Sequence, residues 1–234
     1  MRISSLNIKK FNKEGFIIIP KLVKKKNCSL LIKRLNEFKN YKNALKNKDA
    51  VFEKKKIKYF KNVNFYINDF NILFSESILS ISSKLIKDRT YYLNMGLHNK
   101  IPGKLETPPH QDNFYWCRKP NNALTAYVAL NKQNKKTGAI GYLPKSHKGK
   151  TYPHKKSTVK AFSSYIDFKD KKKKNYFFPK LNPGDVIFHH CNSVHVSSQN
   201  NSKNYERKSV AITIYGENTK LDLGMKKKYL KNSK

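Results

Sequence analysis

Acidic residues are scarce in this chain: 15 Asp and Glu stand against 50 Lys and Arg among 234 residues, a formal net charge of +35. Such a charge is typical of proteins that bind nucleic acid or anionic surfaces. The lysines, however, are spread along the whole sequence, and arginine, which is best suited to reading bases and phosphates, is rare. Abundant Lys, Asn, Ile, Tyr and Phe together also fit a general compositional bias. Nucleic acid is therefore kept as an alternative partner and not as the main prediction.

Cysteine is also scarce, and the placement of the cysteines argues against two kinds of structure. Cys28, Cys117 and Cys191 are odd in number and lie far apart, which argues against a disulfide framework and against a zinc site built from cysteines. The N-terminus lacks the apolar core of a signal peptide, and no apolar run approaches the roughly 20 residues of a membrane helix. We therefore expect a cytoplasmic protein without a membrane span, whose oligomeric state the sequence leaves open.

Length and aromatic content favour one ordered domain. The hydrophobic share is only 38%, but 14 Phe and 14 Tyr supply the material for a core. We expect a single domain over residues 1–234, with a helical part at about 1–89, a jelly-roll core at about 90–217 and a basic tail at 218–234.

The N-terminal part predicts one short strand and two helices. FNKEGFIIIP indicates a β-element that is entered through Gly15 and stopped by proline. NCSLLIKRLNEF has apolar residues at helical spacing, with Asn27 or Ser29 as the N-cap, and SESILSISSKLIKD repeats that pattern with Ser75 as its cap. Residues 41–74, rich in Lys and Asn with interleaved aromatics, predict no definite structure.

After Asp88 the sequence changes to short β-rich segments that Gly, Pro, Asn and Lys separate. These segments are TYYLNMGLHN, LTAYVAL, GAIGYLP, VKAFSSYI, DVIFHH and VAITIYG. Helices followed by many short strands predict a mainly β fold, a double-stranded β-helix (jelly roll) with flanking α-helices. The tail from Gly224 on is expected to be loose.

One histidine and one carboxylate stand two residues apart in the stretch HQDNFYW. On a strand, His110 and Asp112 would point to the same face and could share a metal ion. Because His-x-Asp alone arises easily by chance, a third ligand is needed. The segment DVIFHHCNSVHV offers His189, His190 or His195, and the adjacent His189 and His190 cannot both face one site. Two histidines and one carboxylate form the facial triad, which leaves positions open for a cosubstrate and dioxygen.

A basic residue near these candidate ligands suggests a carboxylate clamp. Arg207 lies 12 residues after His195, and a hairpin between them would bring its guanidinium beside the metal. A guanidinium there can bind a carboxylate through two parallel hydrogen bonds. Ser209 would share the face of Arg207, and Ser197 would share that of His195.

Four longer motifs follow one another along the chain. FNKEGFIIIPKLV places an acid, Gly and Phe before a hydrophobic run and Pro, and HNKIPGKLETPPHQD leads through a turn into the His-x-Asp pair. LTAYVALNKQNKKTGAIGYLPKSHKGK and PGDVIFHHCNSVHVSSQN, followed by ERKSVAITIY, supply the later strands, histidine and arginine. Together they resemble the phytanoyl-CoA dioxygenase family of Fe(II)- and 2-oxoglutarate-dependent oxygenases, over most of the chain.

This resemblance implies a cofactor set and a role for each site residue. The implied Fe(II) ligands are His110, Asp112 and His195. The implied contacts of the cosubstrate 2-oxoglutarate are Arg207 on its distal carboxylate, with help from Ser197, and the aromatic ring of Tyr127. The third reactant is O2.

The resemblance further implies a hydroxylase, because Asp112 is an acid and not the Ala or Gly of a halogenase. The expected reaction hydroxylates a small-molecule substrate and releases succinate and CO2. Desaturation, ring formation and demethylation use the same ligands and stay open as outcomes. The alternatives are a non-catalytic relative that binds metal and 2-oxoglutarate, and an oxygenase that acts on nucleic acid.

Overall fold

A computed structural model describes residues 3–157, 163–168 and 175–233 of the chain. Its helices are α1 (Ser5–Glu14), α2 (Lys25–Glu37), α3 (Lys42–Lys46), α4 (Val63–Tyr66), α5 (Glu76–Ile86), α6 (Asp112–Trp116) and α7 (Leu223–Ser233), with 3-10 helices at Asn68–Leu73 and Ser146–Lys148. Its strands are β1 (Phe16–Ile19), β2 (Ala50–Glu53), β3 (Lys56–Lys61), β4 (Thr90–Lys100), β5 (Thr107–His110), β6 (Arg118–Lys119), β7 (Ala123–Ala129), β8 (Ile140–Tyr142), β9 (Lys155–Lys156), β10 (Ser164–Tyr165), β11 (Val186–His190), β12 (His195–Ser197), β13 (Arg207–Gly216) and β14 (Lys220–Leu221). Within these described ranges, no helix combines the length and the apolar character needed to cross a bilayer.

Two antiparallel sheets form the body of the molecule. The major sheet has the strand order β1-β11-β7-β13-β4-β3-β2, and the minor sheet has the order β5-β12-β8. Ile140 and Tyr142 of the minor sheet pack with Phe16, Tyr127 and Ile187 of the major sheet, so that an apolar cluster joins the two layers. The architecture is the predicted jelly roll with helices outside it.

Period-two alternation along the major sheet decides which side chains face the minor sheet. In β13, Val210, Ile212 and Ile214 enter the core beneath the helices. Arg207, an odd-numbered neighbour in the same strand, therefore projects toward the minor sheet. Lys100 pairs with Arg207 across the ladder and projects to the same side. The major sheet thus presents an apolar face to the helices and a partly polar face to the space between the sheets.

Both predicted helices of the N-terminal part are present, and the N-cap of one of them is the predicted residue. Ser75 accepts a hydrogen bond from the backbone N–H of Ile78 and begins α5 as expected. The N-cap of α2 is Lys24, which makes no side-chain capping bond, so the prediction of Asn27 or Ser29 is wrong. Both of those residues lie inside the helix, because the burial of its apolar face sets where it begins.

The N-terminal part contains more strand than its composition indicates. The first residues of FNKEGFIIIP are helical, because α1 runs to Glu14 and ends at Gly15 with φ 85°. Only then does β1 begin, and it pairs with β11. Residues 41–74, which predicted no definite structure, supply β2 and β3 to the far edge of the major sheet. Besides the predicted β1, two further strands of the major sheet therefore come from the part that was expected to be helical.

The C-terminal tail also differs from its expectation. The segment expected to be loose from Gly224 on forms most of α7, and this helix contacts α6. The predicted strand VKAFSSYI falls partly on residues 158–162, outside the described residues, and its described end contains β10.

Gly184 holds the turn before β11, and its substitution is expected to destabilise the fold strongly. It has φ 91°, and a Cβ there would overlap the carbonyl oxygen of Val23. Since that carbonyl belongs to backbone that is itself bonded to Gly184, neither group can move away. Gly184→Ala should lower the free energy of unfolding by about 3 kcal/mol, measured by urea denaturation. Gly149→Ala, at an open position with ordinary φ, is the matched control; equal midpoints for the two variants would contradict this prediction.

Candidate active site

Three potential metal ligands converge at one end of the space between the sheets. His110, Asp112 and His195 each offer one atom, and these atoms all lie within 4.8 Å of one another. His110 and His195 face each other across the β5–β12 ladder, with ring centroids 4.0 Å apart. The expectation that His110 and Asp112 share one strand is wrong, because β5 ends at His110 and α6 begins at Asp112. The turn between strand and helix nevertheless brings both side chains to one point.

Backbone carbonyls orient both histidine rings. The Nδ1 of His110 lies 3.0 Å from the carbonyl oxygen of Pro108, and that of His195 lies 3.0 Å from the carbonyl oxygen of Ser193. Since a carbonyl only accepts, each Nδ1 donates and each Nε2 keeps its lone pair for a metal. Burial lowers the pKa of His195 to about 4 and the pKa of His110 well below its usual value. Both imidazoles are therefore neutral, as metal ligands must be, at physiological pH.

Two hydrogen bonds hold one oxygen of the Asp112 carboxylate. Its Oδ2 accepts hydrogen bonds from the Thr125 hydroxyl at 2.7 Å and from the His189 Nε2 at 3.0 Å. The other ring nitrogen of His189 lies 2.9 Å from the hydroxyl of Tyr142. Burial raises the pKa of Asp112, but His195 and the hydrogen bond from His189 outweigh it and hold that pKa below its usual range. His189 thus serves Asp112 and is not itself among the three converging ligands.

Gln111, between the two ligands of the motif, is fully buried and fixes the backbone there. Its amide Nε2 donates to the carbonyl of Asn192 at 2.7 Å, and its Oε1 accepts from the backbone N–H of Tyr152 at 2.7 Å. Its own backbone N–H donates to the Nε2 of His154 at 3.2 Å. These bonds tie the turn between His110 and α6 to two other segments, which sequence reasoning did not indicate.

Two buried basic side chains lie side by side on the major sheet. Arg207 is 5% exposed and Lys100 is 7% exposed, and the two residues are register partners in β13 and β4. The Nε of Arg207 donates to the carbonyl of Gly138, and its Nη1 donates to the hydroxyl of Ser209. Within the described part of the chain, neither side chain has a carboxylate at ion-pair distance. A buried guanidinium without an acid, beside an amine that a bound anion would hold in its ammonium form, favours the binding of an anion.

Ser197 lies on the lysine side of this pair. Its Oγ accepts from the Nζ of Lys100 at 2.6 Å and donates to the hydroxyl of Thr107 at 2.8 Å. Burial, followed by the charge of Arg207, lowers the pKa of Lys100 to about 6. The sequence placed Ser197 with Arg207. It offered Lys100 only as a possible contact of an anionic substrate, because a single lysine carries little information in a chain this basic.

Tyr127 and two further residues complete the polar face. Tyr127 is buried in the apolar cluster between the sheets, and its hydroxyl donates to Gln133 at 2.8 Å. His98 pairs in register with Ser209 and with Tyr59, whose ring lies 4.8 Å from its own. Burial and the charge of Arg207 lower the pKa of His98 to about 4. His98 and Tyr59 were missed, because β3 was not recognised as a strand and the alternation in β4 did not single them out.

The donor set fits iron. Two neutral imidazole nitrogens and one ionised carboxylate oxygen meet from β5, α6 and β12, and this mixture is the facial triad of non-haem Fe(II) oxygenases. The hydrogen-bonded Asp112 and the carbonyl-bonded imidazoles provide the outer support that such ligands require.

Residues 11–209 match the family model of phytanoyl-CoA dioxygenase, and the chain belongs to that family. A probable alpha-ketoglutarate-dependent hypophosphite dioxygenase of Stutzerimonas stutzeri is 26% identical over 176 residues, which is 68% of this chain and 59% of that protein. Human peroxisomal phytanoyl-CoA dioxygenase is 26% identical over 106 residues, 43% of this chain and 31% of that protein. The chain thus spans less than two thirds of either relative.

Solved structures share the fold. EctD from S. alaskensis, determined with 2-oxoglutarate and 5-hydroxyectoine, superposes with a TM-score of 0.77 at 18% identity, covering 94% of this chain and 78% of that one. SnoK, a non-heme alpha ketoglutarate dependent carbocyclase from nogalamycin biosynthesis, superposes with a TM-score of 0.75 at 18% identity, covering 94% and 86%. These likenesses agree with the jelly roll described above.

Proposed function

We propose that this protein is a non-haem Fe(II)- and 2-oxoglutarate-dependent dioxygenase that hydroxylates a small molecule and releases succinate and CO2. The convergence of His110, Asp112 and His195 carries the proposal, because a strand-to-helix turn and a strand more than 80 residues later bring together one facial donor set. Bound Fe(II), together with 2-oxoglutarate and O2, supplies the oxidising chemistry. The two curated relatives are named as dioxygenases, and the family match over residues 11–209 and the shared fold support the same class for this chain.

The chain's own residues orient the metal and the cosubstrate and supply the charges that bind them. Asp112 stays ionised because His189 and Thr125 hold its second oxygen, so it offers the metal a negative charge at every physiological pH. Arg207, oriented by Ser209 and Gly138, takes the distal carboxylate of 2-oxoglutarate through its guanidinium. Lys100 supplies a second positive charge to the same anion, and Ser197 holds its ammonium in place. This division differs from the expectation that Ser197 assists Arg207 directly.

The proposed substrate is small, and hydroxylation is the proposed outcome. A small substrate is supported by the names of similar proteins: one curated relative is a hypophosphite dioxygenase, EctD was determined with 5-hydroxyectoine, and SnoK is a carbocyclase from nogalamycin biosynthesis. Asp112 fills the third ligand position, which supports hydroxylation over halogenation. A cytoplasmic location is proposed with it, supported by three free, buried cysteines that suit a reducing compartment.

Turnover of 2-oxoglutarate tests the proposal. Iron-loaded wild type in air should convert 2-oxoglutarate to succinate slowly by itself and faster with one member of a small-molecule panel; His195→Ala should do neither. His147→Ala is the matched control, because His147 lies in the 3-10 helix Ser146–Lys148 and its Nε2 lies 3.2 Å from the carbonyl oxygen of Asn12 in α1, outside the three converging ligands. If only nucleic acid, single- or double-stranded DNA or RNA, accelerates succinate formation, the nucleic-acid alternative is favoured instead. No succinate from iron-loaded wild type with any addition would leave a non-catalytic binding protein.

The affinity for 2-oxoglutarate is expected to fall as the pH rises above about 6. Lys100 has a pKa of about 6 in the free protein and is neutral at higher pH. A bound carboxylate favours the ammonium form, so binding takes up a proton, and the Kd rises by up to about tenfold per pH unit until the pKa of the complex is passed. Anaerobic calorimetry of the Fe(II) protein in two buffers of different ionisation enthalpy measures this uptake. Lys100→Met should abolish it, and a pH-independent wild-type Kd would contradict the role of Lys100.

A further inference from the structure

The C-terminal helix α7 lies against α6, the short helix that begins with Asp112. The family match ends at residue 209, so α7 lies outside it and the comparisons assign it no role. Asp222 joins the two helices: its backbone N–H donates to the carbonyl of Cys117 just after α6, at 2.7 Å. Its Oδ1 accepts from the backbone N–H of Met225 at 2.8 Å and caps α7. The start of α7 is thereby fastened to the end of α6.

Tyr229 brings α7 back onto the aromatic side chains of α6. Its ring meets Phe114 edge-on at 5.6 Å and 84°, and it meets Tyr115 at 6.0 Å and 80°. Both arrangements are favoured by the charge distribution of aromatic rings. Tyr115 in turn presents its ring to the candidate ligand His110 at 6.2 Å and 66°, and its hydroxyl donates to the carbonyl of Ser164 at 2.6 Å.

A second series of contacts leads from Tyr229 to the turn between the ligands. Phe114 is stacked on His154, with ring centroids 3.9 Å apart and planes at 13°. The Nε2 of His154 accepts the backbone N–H of Gln111, the residue between His110 and Asp112. Through Phe114 and Tyr115 together, Tyr229 therefore touches the surroundings of both ligands contributed by this motif.

We propose that Tyr229 is a positioning residue for the metal site, which holds α6 so that the Asp112 carboxylate meets the two histidines. With five residues, α6 is too short to be stable by itself and depends on packing. Asn113 bonds to Arg118 near its start and Trp116 packs on Tyr215 at its end. Between them, Phe114 and Tyr115 make the contacts that Tyr229 covers. The inference rests on the proposed role of Asp112 as an iron ligand and assigns to α7 a function that the family resemblance does not contain.

Two measurements on Tyr229→Ala test this role. In the metal-free protein, hydrogen exchange followed by mass spectrometry should show faster exchange of the backbone amides of α6 and of Gln111. In anaerobic titration at saturating 2-oxoglutarate, the Fe(II) concentration at half-saturation of the charge-transfer absorption should rise about tenfold, as for other residues that support ligands. Tyr229→Phe keeps both ring contacts and should stay within about twofold of wild type. Lys227→Ala, at an exposed position of the same helix, is the matched control.

The outcomes separate this inference from the proposed function. Absence of Fe(II) binding in wild type would count against the proposed function, whereas the exchange of α6 would still report on its support by Tyr229. Normal Fe(II) binding in wild type and in Tyr229→Ala alike, or unchanged exchange of α6, would overturn the inference alone. If Tyr229→Ala does not fold, Tyr229→Leu replaces it, since leucine fills the space without the ring edges and should loosen α6 in the same way.

Discussion

Asp112→Asn is expected to abolish productive iron binding while the fold persists. Asparagine keeps the shape of the side chain but removes the negative charge that the metal requires. Partners of metal ligands alone are worth about 10- to 100-fold in affinity, so loss of a ligand should weaken Fe(II) binding by more than about 100-fold. Succinate formation should fall to the background of iron in buffer. Anaerobic Fe(II) titration and a succinate assay measure the two effects.

The matched control for this charge removal is Asp69→Asn. Asp69 forms a surface ion pair with Arg34, so its change should leave Fe(II) binding intact and unfolding nearly so. An Asp112→Asn protein that still binds Fe(II) as tightly as Asp69→Asn would show that the carboxylate is not a ligand. Circular dichroism of both variants separates loss of the site from loss of the fold.

Arg207→Gln is expected to weaken 2-oxoglutarate binding while iron binding persists. The guanidinium is buried and oriented by Ser209 and Gly138, so it can bind a carboxylate without losing much side-chain freedom. Hydrogen bonds to charged groups contribute about 1.5–3 kcal/mol, which corresponds to a roughly 10- to 100-fold higher Kd for 2-oxoglutarate. Arg207→Lys should recover little, because an ammonium cannot form the two parallel bonds.

Arg34→Gln is the control for this second variant, because Arg34 is exposed and bonds only to surface acids among the described residues. It should leave the Kd of 2-oxoglutarate unchanged. Equal affinity for 2-oxoglutarate in Arg207→Gln and Arg34→Gln would show that Arg207 does not bind the cosubstrate. Weaker Fe(II) binding without 2-oxoglutarate in Arg207→Gln would indicate general damage to the space between the sheets.

The sequence could predict those parts of the fold that are local and periodic. Alternation in β13 and the Ser75 cap of α5 depend on near neighbours in the chain, and both are present. The strands β2 and β3 could not be recognised, because residues 41–74 show no clear alternation and these strands depend on their neighbours in the sheet. β2 is the edge strand and pairs with β3, and β3 joins the sheet by pairing with β4. The tail helix α7 was missed for a related reason: its composition is basic, and contacts with α6 stabilise it.

The candidate site likewise contains residues that sequence motifs indicate and residues that only the tertiary fold brings into place. The motif resemblance brought out His110, Asp112, His195 and Arg207, and the structure brings the three candidate ligands together. The partner of Arg207 could not be foreseen, since only the register of β4 against β13 places Lys100 beside it. His154 likewise reaches Gln111 only through the tertiary fold, over 43 residues of sequence.

Anaerobic titration of the metal-free protein with Fe(II) and 2-oxoglutarate tests the central claim most directly. The account predicts a weak visible charge-transfer band that needs both additions, saturates at one Fe(II) per chain, and is absent in Asp112→Asn. The same band should need far more 2-oxoglutarate in Arg207→Gln. Correctly folded wild type that gives no band with both additions would contradict the assignment of these residues as an iron and 2-oxoglutarate site.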